Sequence, residues 1–299
     1  MEPLISIALC TYNGANFLPQ QLDSILNQTY KNIELVIVDD CSKDGTKAIL
    51  TQYAERYESI KLHFNDQNIG FNANFQKAIA ICSGDFIAIS DQDDIWLENK
   101  LKLLHQNIGD NWLIFSNSEW IDEKENPIGR QTLNPDFKLG NRDYRSALFY
   151  NSVTGHTTLF SKTLLPYIFP IPETGYYDWW IGFVALYHHK ITCLNEYLTL
   201  HRIHSSSVMH KFKGNVKTDI KAERFKEIDL NLSLVRNYKN LKEADKKLIK
   251  KIYAARRRKG FSPYLIRLIY KYYQDYFPDL KSRTGLSRLN FAIKFSKNF

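Results

Sequence analysis

Through residues 1–115, short apolar runs rich in β-branched side chains alternate with longer amphipathic stretches, and few folds accommodate that alternation. Strands of about five residues interleaved with helices of about ten build parallel strand-helix units around a common sheet. The runs predict strands over Leu4 to Leu9, Ile33 to Val38, Ile60 to Phe64, Phe86 to Ile89 and Trp112 to Phe115. Helices are expected near Phe17 to Leu26, Thr46 to Tyr57, Phe71 to Ile81 and Leu97 to Gln106. The turn "SKDGT" introduces the second helix, with Asp44 or Ser42 as its cap. The expected fold class is α/β, with a Rossmann-like, mostly parallel sheet.

In such sheets ligands bind beyond the carboxyl ends of the strands. A polar cluster stands at each of those points: "CTYNG", "DDCSKDG", "NDQNIGFN" and "SDQDD". The last raises a physical problem. An apolar strand runs directly into Asp91, Asp93 and Asp94, and like charges so close repel and resist burial unless a cation compensates them. A divalent metal would do so; acids capping a solvated helix start near Leu97 would need none.

The net charge of +8 divides unevenly. Residues 1–210 hold 16 Lys+Arg against 24 Asp+Glu, whereas residues 211–299 hold 24 against 8. Confinement of the basic footprint to one end argues against a protein that coats nucleic acid. The expected organisation is a body over 1–210 and a basic, mainly helical extension over 211–299. In the extension cations interleave with Tyr, Phe and Leu. That pattern suits a helix lying on an anionic membrane, and equally a helix pair packed on the body or a dimer contact. The four cysteines show no paired spacing and read as reduced thiols. No secretory signal and no apolar run of membrane-spanning length is visible, so the expected location is cytoplasmic, with peripheral attachment to the inner membrane face.

Taken in order, "ISIALCTYNG", "LVIVDDCSKDGT", "NIGFNANF" and "SDQDDIWLENKL" resemble the nucleotide and metal segments of family 2 glycosyltransferases of the GT-A fold. "NSVTGHTTLFS", "YYDWW" and "LTLHRIHSSSV" look like acceptor-side motifs of the branch holding bacterial rhamnosyltransferases of surface-polysaccharide assembly. The resemblance covers about the first 210 residues. It implies an inverting transfer from a dTDP- or UDP-sugar, dTDP-L-rhamnose being the donor of the closest branch, to a hydroxyl of a glycan or lipid-linked oligosaccharide. Mg²⁺ or Mn²⁺ is the implied cofactor. Asp93 is then the leading metal ligand, with Asp91 on metal or ribose and His204 as third ligand, while His201 stands where related sequences often have Tyr. Cys10, Tyr12, Asp39 and Asp40 fall on the nucleotide side, Asp40 toward the imino group of the base. Asn68 and Gly70 shape the third loop, and Arg202 is a diphosphate contact. Asp178 matches the position of the general base, although an Asp at a helix start is also a routine cap. Thr154, Gly155 and His156 border the acceptor side or form a tight turn. Two other classes fit parts of the pattern: a nucleotidyltransferase on a similar sheet, and a nonenzymatic membrane or nucleic-acid adaptor using the basic end.

Overall fold

The computed structural model describes residues 2–140, 142–204, 217–258 and 260–297. The chain divides into two compact units, one of residues 1–139 and 152–211, the other of residues 140–151 and 212–299. The change of unit near residue 211 lies outside the described residues, as do Ser205 to Val208 of the "LTLHRIHSSSV" motif.

The first unit is an α/β sheet protein. Its strands are β1 (Ile5–Thr11), β2 (Ile33–Asp39), β3 (Ile60–Phe64), β4 (Phe86–Ser90), β5 (Ile95–Trp96), β6 (Leu113–Ile121), β7 (Pro127–Gln131), β8 (Thr158–Ser161) and β9 (Ile191–Arg202). The sheet runs β3-β2-β1-β4-β8-β6-β9-β5, and β7 pairs with β6. Strands β1 to β4 are mutually parallel, with Ile7 opposite both Leu35 and Ala88. Strand β8 pairs antiparallel with both β4 and β6, and β6 pairs parallel with β9. The helices are α1 (Leu18–Leu26), α2 (Thr46–Arg56), α3 (Phe71–Ile81), α4 (Lys100–Asn107), the short α5 (Leu165–Ile168) and α6 (Tyr177–Tyr187).

Strands β1, β2 and β4 are apolar along most of their length because both faces are covered. Ile5, Ile7, Leu9, Leu35 and Ile37 share one core cluster with Leu18, Leu22 and Ile25 of α1 and Leu101 and Leu104 of α4. The alternate residues Ala8, Val36 and Val38 are equally buried and leave the sheet on the other side. Each fully buried aliphatic side chain stabilises the fold by roughly 1.5–3 kcal/mol relative to exposure. The N-cap of α2 is Gly45; Asp44 just before it accepts the Thr46 amide on Oδ1 at 3.0 Å, whereas Ser42 is engaged with Asp39. Helix α4 begins at Lys100, and the acids before it do not cap it.

The second unit is helical: α7 (Lys217–Arg236), α8 (Glu243–Arg256), α9 (Pro263–Lys271), α10 (Tyr273–Tyr276) and α11 (Gly285–Ser296), with a 3₁₀ turn at Tyr144–Leu148. Phe149 packs on Tyr276, Phe277 and Phe295, with ring centroids 4.9–5.7 Å apart. Tyr144 donates to Asp245 at 2.7 Å, and Arg142 and Arg145 pair with Asp279 and Asp275.

Candidate active site

Because β1, β2 and β4 are parallel and in register, their carboxyl ends meet along one rim. The first two loops are zipped together there. Asn13 N donates to Ser42 Oγ at 2.9 Å, Lys43 N to Asn13 Oδ1 at 2.8 Å, and Gly14 N to Thr46 Oγ1 at 2.9 Å. The Gln92 amide locks the β4 loop to the same place: its Oε1 accepts Tyr12 N at 2.8 Å and its Nε2 donates to Tyr12 O at 3.1 Å. The Tyr12 ring stays half exposed above the rim.

Asp39 is fully buried and accepts from Thr11 Oγ1 and from the amide and hydroxyl of Ser42. Asp40 serves the third loop: Oδ1 accepts Asn65 Nδ2 and Ile69 N, and Oδ2 accepts Gly70 N at 3.0 Å. Gly70 has φ +83°, a left-handed backbone that a side chain would strain, and its turn delivers its own amide to Asp40. Asn68 braces the turn, its Oδ1 accepting Gly70 N and its Nδ2 donating to Asp40 O. Burial, followed by the charges of Asp91 and Asp40, pushes the Cys10 thiol well up, which keeps it protonated at the end of β1.

The acids after β4 do not share one environment. Asp93 Oδ2 lies 2.8 Å from His204 Nε2. Asp94 is wholly buried, and its Oδ1 receives His201 Nδ1 at 2.9 Å and Arg202 N at 3.1 Å. Its Oδ2 has no hydrogen-bond partner. His156 Nδ1 stands 3.6 Å from Asp91 Oδ2 and 3.8 Å from Asp94 Oδ2, while its Nε2 lies 3.0 Å from Ser118 Oγ. Burial opposes charge on Asp94, yet His201 and His156 overcome it and hold the carboxyl well below its ordinary range. Asp93 moves the other way, raised by burial and by the charges of Asp94 and Asp91 against the bond from His204. The side chain of Lys100 is fully buried beneath this cluster. It donates to His156 O at 2.5 Å and Thr199 Oγ1 at 2.9 Å, with its ammonium 3.6 Å from the Trp96 ring centroid.

Asp94, His156 and His201 present three ligand atoms within 4.8 Å of one another. The two imidazoles, however, stack face to face at 4.4 Å and 3°, so in this arrangement an ion cannot lie in both ring planes. The orphaned, buried Asp94 oxygen beside two further carboxylates is a site short of positive charge. A donor set of carboxylate oxygens with imidazole nitrogen fits a divalent ion such as Mn²⁺.

Asp178 lies in the first turn of α6, half buried. Its Oδ1 accepts Trp179 N at 2.6 Å and its Oδ2 accepts Gly155 N at 3.3 Å. Burial pushes its pKa to about 7 against those two amides, with the Asp91 charge adding to the rise. Helix α6 is seated by Asn72 of α3, which accepts Tyr177 N and donates to Pro172 O and Gly175 O. A Cβ on Gly155 would collide with the Tyr177 hydroxyl, so this turn admits only glycine without rearrangement.

The structure therefore pairs Asp93 with His204, sets Asp91 beside His156 together with Asp94, and links Asp178 to this cluster through the Gly155 amide. Arg202 is placed differently from a diphosphate contact. It is 1% exposed, and its guanidinium donates to Asp93 O, Glu123 O and Gln20 Oε1 while lying over Phe17. A diphosphate contact finds no support in that placement. His201 and Lys100 are the residues that motif reading passed over. The signal for His201 was its spacing in "HRIH" at the end of an alternating run.

Residues 6–167 match the family model described as glycosyl transferase family 2. The chain belongs to that family. An uncharacterized glycosyltransferase of Rickettsia typhi is 28% identical over 216 residues, which cover 69% of this chain and 65% of the relative. The chain thus matches just under two thirds of that relative's length. The fold resembles Staphylococcus aureus TarS 1–349 in complex with UDP-GlcNAc, with a TM-score of 0.61 at 19% identity over 92% of this chain and 82% of TarS. It also resembles the mannosyltransferase PcManGT of Pyrobaculum calidifontis in complex with GDP-Man and Mn²⁺, at a TM-score of 0.60 and 16% identity over 86% and 71% of the two chains. The first unit of this family 2 glycosyltransferase has the GT-A fold.

Proposed function

We propose that the protein is an inverting, metal-dependent glycosyltransferase that moves a sugar from a nucleotide donor to a hydroxyl of a growing surface glycan carried on a lipid. The observation that carries the reading is Asp178. Two backbone amides aim its carboxylate, and burial poises it near pH 7, where a carboxylate can take a proton from an attacking hydroxyl. A single positioned base facing the donor site implies direct displacement, hence inversion. Asp91, Asp93 and His204 would hold Mg²⁺ or Mn²⁺, with Asp94, His201 and His156 as their buried support. When bound, that ion supplies charge for the departing diphosphate. Tyr12 is the platform for the base and Asp40 the shaper of the loop around it, while Cys10 and Asp39 support the nucleotide side from within. The structural relatives bind UDP-GlcNAc and GDP-Man, which supports a nucleotide-sugar donor. The motif set favours dTDP-L-rhamnose, then a UDP-sugar.

The test is Asp178→Asn. Turnover with the accepted donor should fall by about 10²–10⁴, the usual worth of a general base, while Mn²⁺-dependent nucleotide affinity stays within about twofold. Equal loss of both would remove Asp178 from the base role.

A further inference from the structure

Strand β9 also borders a second polar surface. Its register against β6 slips twice, so that Asn117 pairs with Tyr197 but the next residue, Ser118, pairs with Thr199. Ser118 and Thr199 hydrogen-bond His156 and Lys100, whereas Asn117 and Tyr197 lie by the start of α4 and the end of β7. There they border an open cavity of about 720 Å³ between the start of α4, β9 and the end of β7, within the range of small-molecule sites, about 300–1,000 Å³.

The polar groups of this cavity are already oriented. Asn99 Oδ1 accepts Thr29 Oγ1 at 3.0 Å, Gln131 Oε1 accepts Asn117 Nδ2 at 2.9 Å, and Asn195 Nδ2 donates to Pro135 O at 2.7 Å. Each amide is fixed by one end, which leaves the Asn99 and Gln131 NH₂ groups as donors and the Asn195 carbonyl as an acceptor, without side-chain partners among the described residues. Glu98 and Glu196 are exposed acceptors, and the Tyr197 ring is 45% exposed. Among the lining residues none is a cation.

We infer that this groove is a subsite for the acceptor glycan, distinct from the reaction centre. The chemistry selects the ligand class. Interleaved amide donors and carboxylate acceptors match sugar hydroxyls, which give and receive hydrogen bonds at once, and an exposed tyrosine ring offers a flat face to the C–H side of a pyranose. Two carboxylates with no compensating cation repel phosphate, so nucleotides, phosphate-rich polymers and anionic headgroups are excluded. The groove takes neutral saccharide. The identity of that saccharide as acceptor rests on the proposed glycosyl transfer; the binding itself does not.

The experiment is calorimetric titration of the full chain with maltohexaose, cellohexaose and chitohexaose, and separately with UDP and with dTDP, each with Mn²⁺. At least one neutral hexaose should bind, and Tyr197→Ala and Glu98→Ala, both exposed positions, should each weaken it about tenfold. Binding of UDP or dTDP with Mn²⁺ should be unchanged in both variants. Failure of all three hexaoses, or equal binding by wild type and variants, would overturn the subsite. Absence of heat from the wild-type chain with UDP and with dTDP alike, each with Mn²⁺, would instead count against the proposed glycosyl transfer and leave the hexaose result to stand or fall separately.

Discussion

In its proposed role as the base, Asp178 would favour chemistry at the expense of stability. Its folded-state pKa, pushed to about 7, lies above the ordinary carboxylate value of about 3.9. Between those values the unfolded chain is ionised at this position while the folded chain holds the proton. Stability therefore falls as pH rises through that window, and the whole cost is present above about pH 7. Activity runs the other way, because a base must be ionised to accept a proton. The acidic limb of kcat/KM should turn near pH 7, and Asp178→Asn should raise the melting temperature at pH 8 yet leave it unchanged at pH 4. A variant less stable than wild type at pH 8 would show that the two amides on the carboxylate outweigh its burial.

At the scale of elements, Glu34 of β2 joins the opposite end of the sheet. Its buried carboxylate accepts from Ser6 of β1, Lys61 of β3, and the amide and hydroxyl of Ser83 before β4 at 2.6 and 2.8 Å. Burial works against the charge, but the bonds from Lys61, Ser6 and Ser83 hold the pKa at about 2. The sign here is opposite to that of Asp178: the stabilisation is complete above the unfolded value and is lost as pH falls toward 2. Glu34→Ala should cost about 3 kcal/mol at pH 7 by urea denaturation, with the difference from wild type shrinking at pH 2. Strands β1, β2 and β4 were legible in the sequence because burial on both faces writes them as nearly continuous apolar runs, and β3 because Ile60, Leu62 and Phe64 alternate with Lys61 and His63. Strand β5 is two residues long, β8 four, and β7 exposed with Pro127 and Gly129, so none carries a periodic signal. The insertion of β8 between β4 and β6 is a pairing across some 70 residues that no local pattern records. The site divides in the same way. Its acids stood out because carboxylates followed an apolar run, whereas His201 reaches Asp94 across 107 positions and Lys100 reaches His156 across 56.

Across the whole molecule, the excess of basic residues is concentrated in the helical unit. No helix among the described residues is long and apolar enough to cross a membrane. For the proposed lipid-linked acceptor, the helical unit has the composition to meet a bilayer surface. From residue 257 onward the acids are Asp275 and Asp279, and both are paired, with Arg145 and Arg142. The exposed positions of α9 include Tyr264, Arg267, Tyr270 and Lys271, and those of α11 include Lys294 and Leu286, which is 78% exposed. Cations attract an anionic leaflet by about 1 kcal/mol each near the surface, and exposed Tyr and Leu side chains add insertion to attraction. The full chain should therefore sediment with vesicles containing phosphatidylglycerol and not with phosphatidylcholine alone. The bound fraction should fall as salt rises from 50 to 500 mM, the Debye length dropping to a few ångströms. Leu286→Asp with Tyr264→Asp should weaken binding about tenfold with soluble-acceptor turnover unchanged, because neither residue belongs to the unit that holds the proposed reaction centre. Binding that ignores both salt and the double variant would leave the basic unit as a solvated surface, and the acceptor would have to be brought to the enzyme by some other means.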